Sequence, residues 1–296
     1  MEAGPMVSIG LPVALFIIMI GIGMTLTLRD FRQVAVYPRG IIVGTFAQIV
    51  VMPAFAFLLV ALLNLPPAIA VGLVIIAACP GGTTSNLFVL LARGNVALSI
   101  VLTVLANVIT VVTLPLITNF ALQLYMGTEE YITLPLDQTI GTLVAIVLLP
   151  VAIGMVIRSY WPNAAYKAER AVSVFGAVVL ATLVVALVIG VKDRIGELLA
   201  AAGPATLMLN LAGIALGLLV SRLSGLTQRE SMAVAMELGV KNGTIGLLIT
   251  LTLLDSSEMS IPSAVYGVLM FFFGFLLSVY GQRVIPKPDV GPGARS

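Results

Sequence analysis

Cys79-Pro80-Gly81-Gly82-Thr83-Thr84-Ser85-Asn86 lies inside an apolar stretch running from residue 68 to 92, and Glu237-Leu238-Gly239-Val240-Lys241-Asn242-Gly243-Thr244 lies inside another, from 231 to 254. Proline with two glycines cannot hold a regular helix at 80 to 82. The second stretch sets two glycines and three strongly polar side chains in an apolar run, so it is expected to break as well. A backbone group freed in hydrocarbon costs several kcal/mol unless something satisfies it. Such breaks therefore persist only in protein interior or beside a watery cavity.

The surroundings of these two stretches set the fold class. Of 296 residues, 60% are hydrophobic and 9% charged, against roughly 25% charged in an ordinary soluble domain. Cutting the chain at charges, prolines and polar loops leaves nine apolar segments: 7 to 28, 40 to 62, 68 to 92, 95 to 119, 138 to 157, 171 to 191, 203 to 221, 231 to 254 and 261 to 281. Each is near the length of about 20 residues that a spanning helix needs. No stretch shows the alternating ten-residue pattern of a membrane β-barrel. The expectation is an all-α polytopic membrane protein of about nine transmembrane helices, forming one transmembrane domain.

Charge sets the expected orientation. With the N-terminus outside, the inner loops and tail hold Arg29, Arg32, Arg39, Arg93, Arg158, Lys167, Arg170, Arg222, Arg229, Arg283, Lys287 and Arg295, while the outer loops hold Lys192 and Arg194. That imbalance follows the positive-inside rule. The loop at 120 to 137 carries Glu129, Glu130 and Asp137 without a basic residue, Tyr160 and Trp161 suit an interface, and residues 286 to 296 form a cytoplasmic tail. Met1 to Met6 lack a basic leader region, so the first span is expected to remain as an anchor. The setting is a bacterial inner membrane.

With nine spans, segments 1 to 4 and 6 to 9 run in opposite directions, and segment 3 corresponds to segment 8. Matching broken helices in inverted repeats point to the binding site of a secondary transporter. Other classes lose ground. Without histidine there is no Ser-His pair and no usual zinc ligand, every aspartate lies near a span end or in a loop, and the scattered basic residues make no nucleic-acid stripe. The chain is not expected to be an enzyme. Cys79, the single cysteine, reads as a small buried apolar residue.

At Gly23-Met-Thr-Leu-Thr-Leu-Arg-Asp-Phe31, Ala47-Gln-Ile-Val-Val-Met-Pro53 and the two broken stretches, the sequence resembles the bile acid:sodium symporter family over nearly its whole length. The resemblance implies a core domain (about 40–119 and 203–281) with two crossing broken helices, moving against a panel domain (about 7–28 and 138–191). It implies alternating access and import of an organic anion, such as a bile acid or a small carboxylate like pantoate, with sodium. It also implies that the chain begins at the second helix of ten-helix relatives.

One sodium site of the family falls on Ser85, Asn86, Ser99, Thr103 and Glu237. Hydroxyls, an amide carbonyl and a carboxylate suit a hard cation. Ser99 and Thr103, four apart, share one helical face, and Asn107 continues it. The second site falls on Gln48, Glu237 and the position of Lys241, where relatives carry glutamine. An ammonium has no lone pair and cannot ligate sodium, but it can stand where a cation stood, and near-helical backbone would set Glu237 and Lys241 as an i, i+4 pair. The substrate is expected at Thr83, Thr84 and Asn242, beside the half-helix N-termini. The partners are thus sodium, a small organic anion and the lipid bilayer. A sodium-independent or proton-coupled carrier, an arsenite-exporter-like carrier, and a channel or sensor are the rival readings.

Overall fold

In a computed structural model of the chain, residues 9–27, 37–127 and 133–286 are described. The expected inner charges Arg29, Arg32, Lys287 and Arg295, the outer Glu129 and Glu130, and most of the tail lie outside them. Eleven helices cover the nine expected spans. They are α1 (Leu11–Thr25), α2 (Pro38–Leu63), α3 (Pro67–Ala78), α4 (Thr83–Leu91), α5 (Val96–Tyr125), α6 (Leu136–Tyr160), α7 (Pro162–Gly190), α8 (Ile195–Leu223), α9 (Gln228–Gly239), α10 (Gly243–Leu253) and α11 (Ser257–Val284). Segment 3 is α3 plus α4, and segment 8 is α9 plus α10. The breaks fall where the glycines and proline put them. Helices α2, α5, α6, α8 and α11 are each long and apolar enough to cross a membrane, and the chain is an all-α polytopic membrane protein.

Local chemistry fixes the helix ends. Proline stands in the first turn of α1, α2, α3 and α7, where its missing N–H would have had no partner. Asn95 caps α5 by accepting from the Leu98 N–H at 3.1 Å, and Thr227 and Glu230 form a capping box at the start of α9. Within α2, Pro53 can neither donate a helical hydrogen bond nor tolerate the carbonyl four residues back. The helix widens there into a π-turn over Ala47–Val51, the Met52 N–H reaching back to Ala47. Pro150 produces the same device in α6, over Val144–Leu148.

Lipid tails are as apolar as leucine, so helices in a membrane associate through close backbone approach rather than hydrophobicity. Gly213 and Gly217 let α8 meet α9: a β-carbon on either would come within 2.8 Å of the Leu238 carbonyl or 2.5 Å of the Ala235 Cα. Gly23 and Gly154 do the same for α1 and α6. Helix α1 packs on α6 and α7, whereas α3 packs on α2, α5 and α11, and α9 on α4, α5, α8 and α11. Residues Ile69 to Ala78 and Ser231 to Gly239 are buried without interruption. The two broken helices therefore occupy the centre, and apolar side chains such as Leu62, Leu223 and Phe272 face outward.

The ends of the bundle are tied differently. At one end Arg93 donates to the carbonyls of Gln282 (2.8 Å) and Ile285 (3.1 Å), Gln282 donates to Leu91 (2.9 Å), and Arg229 donates to Pro286 (3.2 Å). At the other, Arg194 bridges Glu197 and Glu258, and Asn119 holds both main-chain groups of Leu134.

Candidate cation and substrate site

The two breaks cross at the middle of the bundle. After α3 the chain runs extended through Cys79 and Gly82, and after α9 it extends at Val240. Gly81 and Lys241 pair as an antiparallel bridge, and the Asn242 N–H donates to the Pro80 carbonyl at 2.8 Å. Main chain thus satisfies main chain where a helix would have done so. The free carbonyls at the C-terminal end of α9 are satisfied by side chains: Asn210 of α8 donates to the Gly239 carbonyl at 2.8 Å, and the Tyr266 hydroxyl of α11 reaches the same oxygen at 3.0 Å and the Leu238 carbonyl at 3.3 Å. Asn242 caps α10 by accepting from the Ile245 N–H at 3.3 Å.

Glu237, on the last turn of α9, is completely buried. Its Oε1 accepts from the hydroxyls of Ser85 (2.5 Å), Ser99 (2.7 Å) and Thr103 (2.9 Å). Asn86 Oδ1 lies 2.7 Å from the Ser99 hydroxyl and 3.4 Å from that of Thr103. Ser85 and Thr103 also approach the carbonyls of Gly82 (2.6 Å) and Ser99 (3.0 Å). Helices α4, α5 and α9 thereby bring together all five residues of the expected first cation site. The cluster is rich in oxygen and poor in hydrogen. Each hydroxyl has one proton but stands within reach of two or, for Thr103, three acceptors, so lone pairs remain for a hard cation.

The second expected site is different. Among the described residues, Glu237 Oε2, both polar atoms of Gln48 and the Lys241 ammonium are buried without a hydrogen-bond partner. Gln48 sits in the π-turn of α2, and a β-carbon on Gly81 would lie 3.5 Å from its Nε2 and 2.2 Å from Glu237 Oε2. Gln48 and Glu237 therefore converge on the bare face of Gly81. The i, i+4 pair between Glu237 and Lys241 does not form. Helix α9 stops at Gly239, the extended Val240 carries Lys241 out of helical register, and no ion pair joins the two residues.

Beside the crossing lies a cavity of ≈ 40 Å³, lined by Thr84, Lys241, Asn242 and Thr244 on one side and by Ile18 and Ile22 of α1 and Leu180 of α7 on the other, with Phe271 of α11. Two of the three expected substrate residues, Thr84 and Asn242, border it. The side chain of Thr83 lies outside the described residues. Cys79 is buried, as expected. Asn210 and Tyr266 escaped the sequence reading, although a polar side chain inside an apolar span is itself a signal.

Two interrupted helices crossing back to back beside a buried carboxylate, in a chain of membrane-spanning helices, define the architecture of a secondary transporter. Comparison with known proteins gives this class a family. The model of the sodium bile acid symporter family matches residues 12–198. The chain is 32% identical over 279 residues to the probable sodium/metabolite cotransporter BASS1 of Arabidopsis thaliana chloroplasts, covering 93% of this chain and 67% of that one. It is 28% identical over 285 residues to the uncharacterized sodium-dependent transporter YocS of Bacillus subtilis, covering 96% and 87%. With the human ileal sodium/bile acid cotransporter it shares 29% over 236 residues, covering 78% and 66%. The chain belongs to the sodium bile acid symporter family, a family of transporters rather than enzymes.

Proposed function

We propose that the protein is a sodium-coupled secondary transporter that imports an organic anion by alternating access. The observation that carries this reading is the oxygen cluster around Glu237 Oε1, built from three helices that meet only because α3–α4 and α9–α10 break and cross. Sodium would be held by Ser85, Asn86, Ser99, Thr103 and Glu237, and its arrival would replace shared hydroxyl protons by a full positive charge on the buried carboxylate. The relatives named as sodium/metabolite and sodium/bile acid cotransporters support the same cation.

Lys241 supplies a fixed positive charge where relatives hold their second sodium, leaving one mobile cation per cycle. The free amide of Gln48 and the free Oε2 of Glu237 are the remnant of that second site. The anion binds at Thr83, Thr84 and Asn242. Helices α1, α6 and α7 form a panel against which the remaining helices, the core, rock; the ≈ 40 Å³ cavity lies on that seam. The Arg93 and Arg229 end faces the cytoplasm and the Arg194 end faces out, which follows the positive-inside rule in a bacterial plasma membrane.

The test is the thermal stability of the purified protein titrated with sodium chloride against choline chloride. A ligand bound only by the folded state stabilises it by RT ln(1 + [L]/Kd), about 2.7 kcal/mol at a hundredfold excess over Kd. Sodium is expected to raise the melting temperature of wild type and to leave Glu237→Gln unmoved. Equal responses to sodium and choline in the wild type would refute the cation site. Sodium-dependence curves of uptake for wild type and Lys241→Gln test the single-cation reading, since an unchanged sodium requirement and stoichiometry in the variant would sink it.

A further inference from the structure

Lys241 is 1% exposed, and among the described residues its ammonium has no hydrogen-bond partner and no carboxylate stands within ion-pair distance of it. A buried ammonium with no direct hydrogen-bonded partner is an unfavourable feature of a protein interior, and an anion bound beside it would relieve that cost. Lys241 forms part of the wall of the ≈ 40 Å³ cavity at the crossing, and among the residues lining that cavity it alone is charged. Around it stand the amide of Asn242, the hydroxyl-bearing Thr84 and Thr244, and the apolar side chains of Ile18, Ile22, Leu180, Met270 and Phe271. One cation, a few hydrogen-bonding groups and a short apolar wall match a carboxylate with a small carbon skeleton.

We infer that Lys241 is the counter-ion of the transported species, and that this species is a small monocarboxylate. The inference rests on the cation reading above and deepens it through charge balance. With Glu237 and Lys241 both ionised, the empty site is formally neutral. Sodium alone leaves one surplus positive charge in the interior, and a monoanion alone leaves one negative charge. Bound together, one sodium and one monocarboxylate restore neutrality. Each ligand therefore raises the affinity for the other by the same factor, as reciprocal linkage requires, and the loaded and empty carriers cross the membrane with equal charge. Lysine in place of a second sodium thus gives a one-to-one electroneutral symporter without any further coupling element.

The experiment uses the full-length protein in detergent, with propionate, lactate and pyruvate as probes and propionamide, lactamide and pyruvamide as their neutral counterparts. In sodium, at least one acid is expected to raise the melting temperature while its amide does not, and in choline the acid's effect should shrink. Lys241→Gln, in which a second sodium is expected to take the vacated position, should bind the acid roughly 30-fold or more weakly at sodium too low to fill that position, the loss expected when one partner of a buried charge pair is removed, and should regain affinity as sodium rises. Lys241→Arg should restore part of that affinity. The inference is overturned if amides act as well as acids on wild type, if no acid acts at all, or if Lys241→Gln binds the acid within about threefold of wild type at low sodium. Should Lys241→Gln fail to fold, the comparison of acid with amide on wild type decides the matter alone. Acid binding that is identical in sodium and choline, with no response to sodium itself, would remove the cation site and leave Lys241 as the counter-ion.

Discussion

Replacing Gly81 by alanine tests the centre of the site with a single methyl group. A β-carbon at this position would lie 2.2 Å from Glu237 Oε2 and 3.1 Å from Glu237 Cδ, where unstrained heavy-atom contacts begin near about 3.5 Å. The carboxylate must withdraw by more than about 1 Å, because Gly81 is itself pinned by its bridge to Lys241. A retreat of that size takes Oε1 beyond hydrogen-bonding reach of at least one of its three hydroxyls, now at 2.5, 2.7 and 2.9 Å. A hydrogen bond to a charged group contributes about 1.5 to 3 kcal/mol, so sodium affinity should fall roughly 10- to 100-fold. Gly82→Ala is the matched control, since its β-carbon would meet only Asn242, at 3.8 Å and beyond. Sodium titration of the melting temperature gives both dissociation constants, and sodium-driven uptake into proteoliposomes gives the functional counterpart. If Gly81→Ala kept the wild-type sodium affinity within about twofold, or if Gly82→Ala were equally impaired, the packing of Glu237 against Gly81 would not control the cation site.

Asn210→Ala and Tyr266→Phe each remove one donor from the Gly239 carbonyl. Singly each should destabilise by about 1 kcal/mol, and together by more than the sum, because only the double variant strands a buried acceptor; melting temperatures of the three variants measure this. Asn242→Ala should abolish anion uptake while lowering stability only by the loss of a helix cap, about 1 kcal/mol, and normal uptake would remove Asn242 from the substrate site. Arg194→Ala breaks exposed, solvent-screened ion pairs with Glu197 and Glu258 and should leave the melting temperature essentially unchanged. Gly154→Leu drives a side chain into the Ile20 carbonyl of α1 and should lower the melting temperature or prevent folding, as read by size-exclusion profile.

The spans were legible because hydrocarbon imposes one rule, a continuous apolar run, and the breaks because proline and paired glycines leave no alternative at 80 to 82. The oxygen set was legible only through resemblance. Ser85, Ser99, Thr103 and Glu237 come from three helices up to 152 positions apart, and no local pattern announces their meeting. Pairing of Glu237 with Lys241 failed for a local reason, since two residues of extended backbone cancel the periodicity that i, i+4 reasoning assumes. The roles of Asn210 and Tyr266 depend on a carbonyl freed 27 to 29 residues away, which becomes visible only once the end of α9 is placed. The π-turn around Gln48 follows from Pro53, but its bearing on Glu237 depends on the crossing.

The crossing itself is made of peptide groups: Gly81 bridges Lys241, and Asn242 reaches Pro80, through main-chain atoms alone. The crossing contacts at 241 and 242 thus do not use the Lys241 side chain. Under the proposed single-cation cycle, exchanging a neutral amide for an ammonium there alters how many ions accompany each cargo molecule by one codon. On that reading position 241 is an interchangeable part, and stoichiometry changes by one side chain while the architecture stays.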